Sequence, residues 1–194
     1  MTPALASSIW TLGIIAWCII RYPYQRRARK LNVSAHKRST EERLLLVGAT
    51  VGLVIVPAVW LLSGFPKSLD TTFHPALATL GAVCMAAFLG LFYAVHRQLG
   101  RNWSITLEIR EDHALVTQGL FKYIRHPMYS SFWLWAIAQA LLLPNWLAGF
   151  AGLASIAALY FGRVAREEAM MRETFGPQYD AYMNRTKRIV PWLM

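Results

Sequence analysis

What constrains this chain most is where its charges are missing. Residues 3–20, 44–66, 71–96 and 127–162 contain no Asp, Glu, Lys or Arg. A helix needs about 20 apolar residues to cross roughly 30 Å of hydrocarbon. Each of the first three stretches has that length and predicts one transmembrane helix. The fourth is too long for one span and is interrupted at Pro144-Asn145-Trp146, a turn signal, so it predicts a helical hairpin. The first arm, from about Met128 to Leu143, reaches only roughly 24 Å at 1.5 Å per residue. It crosses fully only where the bilayer thins around it. The expected fold is an all-α integral membrane protein of about five transmembrane helices, the last two forming the hairpin.

Composition points the same way. Only 15% of the 194 residues are charged, against about 25% in a soluble domain, which argues against a free cytosolic enzyme. The first apolar run does not read as a signal peptide: Arg21 follows it instead of preceding it, and no small-residue cleavage pattern comes next. Cys18 and Cys84 both lie in apolar runs. They read as small buried hydrophobes, not as a disulfide or a metal knuckle.

The formal charge of +10 is distributed by loop. Residues 21–43 carry +6, 63–73 carry 0, 96–127 carry +2 and 163–194 carry +2. Alternate loops are basic, and the positive-inside rule assigns those to the cytoplasm. The N-terminus is then expected outside and the C-terminus inside, which requires an odd number of spans. The bland role of the 21–43 loop is to set topology and touch anionic lipid headgroups. Nucleic acid is not an expected partner, because no aromatic interleaving or recognition signature accompanies the basic residues.

No dinucleotide or phosphate loop, metalloprotease helix or metal-spaced His/Cys cluster occurs. Gly48 and Gly52 make a GxxxG, and Gly149 and Gly152 are similarly placed; helix packing is the expected role of both pairs. The chemistry is concentrated in the C-terminal half. Ile105 to Val116 alternates enough for a strand-like or irregular lid. His126 precedes Pro127, a pairing that favours extended backbone followed by a helix start. The first turn of that helix then offers free N–H groups beside Tyr129. Further on, Arg163 and Glu167 stand one helical turn apart. Glu167 and Glu168, as neighbours, point about 100° apart. Each feature has an ordinary explanation: an interfacial Arg-His-Tyr anchor, and a solvated helix end with Arg163–Glu167 and Glu168–Arg172 pairs.

Taken in order, Leu115-Val116-Thr117-x-Gly119, Arg125-His126-Pro127-x-Tyr129, the hairpin, Glu167-Glu168 and Phe175-Gly176-x-x-Tyr179-x-x-Tyr182 resemble the isoprenylcysteine carboxyl methyltransferase family. The resemblance runs from about Leu99 to Pro191 and is weaker over the first two helices. Phospholipid N-methyltransferases and, more distantly, membrane sterol reductases share similar C-terminal halves.

The resemblance implies a membrane methyltransferase that uses S-adenosyl-L-methionine without a Rossmann domain. It implies residues 1–98 as three N-terminal helices and 99–194 as the catalytic part. The cofactor pocket would be cytosolic, built from the loop after helix three and the C-terminal segment. His113, Ala114, Leu115, Val116, Phe121, His126, Pro127, Met128 and Tyr129 would line that pocket. Glu167 would bind the cofactor, with Glu168 the alternative one position on, and Arg163 would face a substrate carboxylate. The implied reaction methylates the C-terminal carboxylate of a prenylated cysteine or a related lipophilic carboxylate. N-methylation of an amine headgroup is the alternative, and no metal is implied. A non-catalytic carrier is disfavoured because the predicted spans carry no charged residue mid-helix.

Overall fold

The computed structural model describes residues 1–28, 33–36, 39–100, 103, 108–110 and 114–191. The described residues form six α-helices: α1 (Pro3–Ala28), α2 (Thr40–Ser63), α3 (Pro75–Leu99), α4 (Pro127–Leu142), α5 (Trp146–Phe175) and α6 (Pro177–Arg185). Four of them, α1, α2, α3 and α5, are long and apolar enough to cross a membrane. The 16-residue α4 is not, as the short first arm of the hairpin implied.

Local sequence sets the helix ends. Ser39 Oγ accepts from the Glu42 N–H at 3.0 Å and starts α2. Asn145 Oδ1 accepts from the Ala148 N–H at 2.9 Å and starts α5, making the predicted hairpin turn. Proline occupies the first turn of α3, α4 and α6, where its missing N–H costs nothing. Within α2 the backbone widens to a π turn over Val51–Ile55, just ahead of Pro57, which cannot donate into a regular helical ladder.

The core is an aromatic seam between α1, α3 and α4. Trp135 lies 4.9 Å from Phe88 and 5.1 Å from Trp17 by ring centroids, and Phe132 lies 5.8 Å from Phe92. Buried Gln139 on α4 donates to the Gly52 carbonyl at 3.0 Å and the Ala148 carbonyl at 2.7 Å, tying α2 and α5 to α4. The expected small-residue packing holds at three of its four positions. A Cβ on Gly52 would strike Ser155 and the Ala151 carbonyl, one on Gly149 would lie 3.0 Å from the Leu143 carbonyl, and one on Gly152 would lie 3.0 Å from Gln139 and Leu53. Gly48 instead faces open space.

The cysteine expectation needs correction. Both are free, but Cys18 is exposed and Cys84 only partly covered. Along a membrane-facing helix an apolar residue meets lipid as readily as it meets protein, so apolar sequence does not imply burial here. Leu62 and Phe161 are likewise exposed, at 89% and 69%.

Two features tie the loops together. Strand β1 (Val33–His36) pairs antiparallel with β2 (Glu108–Arg110), so the basic loop after α1 is bonded to the loop after α3. This is the strand character expected within 105–116. At the far end of the bundle, Asn145 Nδ2 donates to Asp70 Oδ1 at 2.8 Å and to the Pro66 carbonyl at 3.0 Å. There Trp60 Nε1 also donates to Asp70 Oδ1, at 2.7 Å.

Candidate active site

The residues at the other end of the bundle are brought together by backbone lacing. The C-terminal segment lies along the approach to α4: the Arg125 N–H donates to the Lys187 carbonyl at 2.8 Å and the His126 N–H to the Arg188 carbonyl at 2.9 Å. Arg125 Nη1 donates to the Thr186 carbonyl at 2.7 Å. This pairing fixes His126 in the non-helical conformation that precedes Pro127 and aims the first turn of α4 inward. Upstream, Gly119 takes a positive φ of 60°, and a side chain there would run into Gln98. Gln98 Oε1 accepts the next N–H, that of Leu120, at 3.0 Å. Glycine is required at that turn.

The two adjacent glutamates are placed differently. Glu167 is half-buried. It accepts from the Tyr129 hydroxyl at 3.0 Å, and lies 3.8 Å from both Arg163 Nε and His126 Nδ1. Glu168 is 4% exposed. It accepts from Arg125 Nε at 2.7 Å, from His126 Nε2 at 3.2 Å, and from Arg188 Nε and Nη2 at 3.1 and 2.7 Å. Arg172 pairs with Asp180 and not with Glu168. His126 thus stands between the two carboxylates.

Arg163 lies between Glu167 and Glu42, with Nη1 at 3.6 Å from the Glu42 carboxylate. Glu42 comes from the first turn of α2 and is 2% exposed. Next to it, exposed Glu41 pairs with Arg166.

A cavity of about 340 Å³ opens onto these groups, within the roughly 300–1,000 Å³ of small-molecule sites. Of the predicted residues, Ala114, Leu115, Val116, Phe121, His126, Pro127, Met128, Tyr129, Arg163 and Glu167 all line it. Glu168 does not: it sits behind His126 in its ring of cations. His113 lies outside the described residues. Along α5 the lining runs from Ile156 through Leu159, Arg163 and Glu167 to Met170, about 20 Å of helical rise. The cavity is therefore long: Glu167, His126 and Arg163 line one part of it, and the apolar Leu53, Phe132, Trp135 and Ile156 line another.

Tyr179 and Tyr182 of α6 line the charged end. The Tyr182 hydroxyl donates to the Phe121 carbonyl at 2.7 Å. Burial pushes both hydroxyls up from their ordinary range, and the charges of Glu168 and Glu167 push Tyr179 further. Both stay neutral donors. At the first turn of α4 the N–H groups of the inner residues have no intrahelical partner. A neutral aromatic wall, a carboxylate and a helix N-terminus suit a ligand that has a flat ring, a cationic group and a carboxylate of its own.

Several contributors escaped the sequence reading. Glu42 counted there only toward loop charge, although Ser39-x-x-Glu42 is a capping signature that marks a structured helix start. Trp17, Arg21 and Trp103 also line the cavity, the Arg21 guanidinium lying 5.2 and 5.5 Å from the two indole rings. Arg21, in the C-terminal part of α1, thus has local partners as well as a topological role.

The sequence profile described as the isoprenylcysteine carboxyl methyltransferase (ICMT) family matches residues 78–173. Curated relatives include protein-S-isoprenylcysteine O-methyltransferase of Schizosaccharomyces pombe, 29% identical over 59% of this chain and 48% of its own length. Protein-S-isoprenylcysteine O-methyltransferase B of Arabidopsis thaliana is 32% identical over 48% of this chain and 49% of its own. The Dictyostelium discoideum protein-S-isoprenylcysteine O-methyltransferase is 32% identical over 57% and 49%. The chain spans about half the length of these relatives. Among solved structures, the eukaryotic intramembrane Ras methyltransferase ICMT superposes with a TM-score of 0.56 at 23% identity, covering 92% of this chain and 60% of that one. The fold is shared, and four helices of this chain are long and apolar enough to cross a membrane. Over residues 78–173 the chain is similar to the isoprenylcysteine carboxyl methyltransferase family, and it shares the fold of that family's solved member.

Proposed function

We propose that this chain is an S-adenosyl-L-methionine-dependent methyltransferase acting on the C-terminal carboxylate of a prenylated cysteine, or on a related lipophilic carboxylate. The observation that carries this reading is the continuity of the cavity. One space reaches from Glu167, His126 and Arg163 to an apolar shaft walled by Leu53, Phe132, Trp135 and Ile156. Such a space accommodates a polar donor and a lipid tail end to end.

The cofactor, when bound, supplies an electrophilic methyl group on a sulfonium. The chain's own residues bind and orient. Glu167 is the group proposed to hold the cofactor's amino group or ribose, with Tyr129 and His126 fixing its carboxylate. The first turn of α4 faces the cofactor's carboxylate, and residues 114–116, Phe121, Tyr179 and Tyr182 enclose its apolar surface. Arg163 clamps the substrate carboxylate, which its planar fork can do bidentately. A carboxylate is already ionised above a pKa of about 4, so no general base is needed. What the site contributes is alignment and exclusion of water. Glu168 serves this site from behind, by holding Arg125 and His126.

Residues 99–194 supply the named binding groups, with helices α1 and α2 from the 1–98 part walling the lipid end. The basic loops are proposed to face the cytoplasm, with the N-terminus outside and 21–43 against anionic lipid. If α4 crosses a thinned bilayer, the spans number five.

One observation favours the amine reading. Glu167 lines the cavity beside Tyr129, and a carboxylate there suits a cationic substrate as well as a sulfonium. Transfer of a labelled methyl group separates the two. Farnesylated cysteine analogue is expected to be labelled and phosphatidylethanolamine not, whereas the reverse pattern refutes the carboxylate reading. Absence of S-adenosylmethionine binding by calorimetry, in folded protein, refutes both.

A further inference from the structure

A second concavity shares Arg125 with the active-site cavity and is otherwise lined by different residues. It is lined by Arg125, Lys187 and Arg188 above Tyr160, Phe161 and Val164. We infer that this groove binds the phosphate group of an anionic membrane phospholipid.

Charge is the first argument. Arg125, Lys187 and Arg188 bring three positive charges, and Glu168 returns one negative. Lys187 is exposed and makes no ion pair among the described residues. Arg125 uses Nε and Nη1, and Arg188 uses Nε and Nη2, in the bonds to Glu168 and Thr186. Each guanidinium keeps one terminal nitrogen whose donors go to no described residue. Two such nitrogens and an ammonium on one rim match the oxygens of a phosphate.

Depth is the second argument. The uncharged part of α5 ends at Gly162. From Trp146 that is about 25 Å of rise, close to the hydrocarbon thickness. The cationic rim therefore sits at headgroup level, with Phe161, 69% exposed, just below it. Phe161 and Tyr160 meet edge to face with centroids 5.1 Å apart, an apolar wall for the first carbons of an acyl chain. A soluble anion would gain nothing from that wall, and this commits the groove to a lipid.

The test uses the full chain in detergent, titrated with phosphatidylglycerol or with phosphatidylcholine of the same acyl chains and read by native mass spectrometry. Phosphatidylglycerol is expected to be retained preferentially. Lys187→Gln is expected to lower that retention about five-fold, the factor for one cation at a membrane surface. The Lys187 side chain is solvent-exposed while its backbone carries the lacing, so this variant keeps the fold. Phe161→Ser is expected to lower retention as well, and Lys67→Gln, in the loop after α2, to leave it unchanged. Equal retention of both lipids, or retention insensitive to Lys187→Gln, overturns the proposal. So does displacement of the lipid by millimolar inorganic phosphate in wild type, since the groove would then be a simple anion site.

Discussion

On one face of α5, Glu167 meets the cavity through one hydrogen bond of 3.0 Å and two ion-pair distances of 3.8 Å. On the neighbouring face, Glu168 is closed in by four hydrogen bonds of 2.7 to 3.2 Å. Residue type and sequence position are nearly the same, and the roles differ because the surroundings differ. A buried carboxylate ringed by three cationic side chains is closed off from a ligand in the cavity, and its energy goes into holding the groups around it. A half-buried carboxylate with long contacts can exchange them for better ones.

Four predictions break or sharpen that contrast. The largest effect belongs to Glu168→Ala. Removing the shared acceptor strands Arg125 and loosens Arg188, which should cost on the order of 3 kcal/mol and lower the thermal unfolding midpoint in detergent. Unfolding like wild type would mean the ring of cations is dispensable. Glu167→Gln should do the reverse. Its unfolding midpoint should stay near that of wild type, while affinity for S-adenosylmethionine falls on the order of ten-fold or more, the scale of one charge-assisted hydrogen bond. Unchanged affinity by calorimetry would move the cofactor away from Glu167. Arg163→Lys keeps the charge between Glu42 and Glu167 but loses the planar fork. Substrate KM should rise roughly ten-fold with little change in cofactor affinity, and a variant with wild-type KM would refute the clamp.

The smallest effect concerns a third carboxylate, at the far end of the bundle. Hydrogen bonds from Asn145 and then Trp60 hold the exposed Asp70 carboxyl below its ordinary range. A depressed native pKa stabilises above the unfolded value, near pH 4, and that contribution is lost as pH falls through the native value. The drop in unfolding midpoint between pH 6 and pH 3 should be slightly smaller for Asp70→Asn than for wild type. Identical drops would show that the far-end bonds are too solvated to register.

The spans were legible because lipid imposes a rule that sequence displays directly, the absence of charge over a fixed length. The hairpin was legible because Asn145 caps a helix through its own side chain. Ten of the twelve residues named for the site share the cavity because motif order carries local geometry such as the His126-Pro127 helix entry. What remained hidden depends on distant contacts. Choosing between Glu167 and Glu168 requires knowing where Arg125 and Arg188 lie, and no periodicity along α5 contains that. Glu42 joins Arg163 from a different helix. Cys18 was misjudged because in a bilayer the apolar surround can be solvent.

Helix α5 runs without interruption from Trp146 to Phe175, from its candidate membrane span on past the candidate active-site residues. Arg163 and Glu167 consequently have no hinge between themselves and the membrane-anchored turns. Their height above the hydrocarbon is set by the helix as by a rigid ruler. A thicker membrane would draw Arg163 toward the acyl chains unless the helix changed its tilt. In the proposed reaction, bilayer thickness thereby becomes a variable that tunes how far a lipid-borne carboxylate must rise to meet the Arg163 guanidinium.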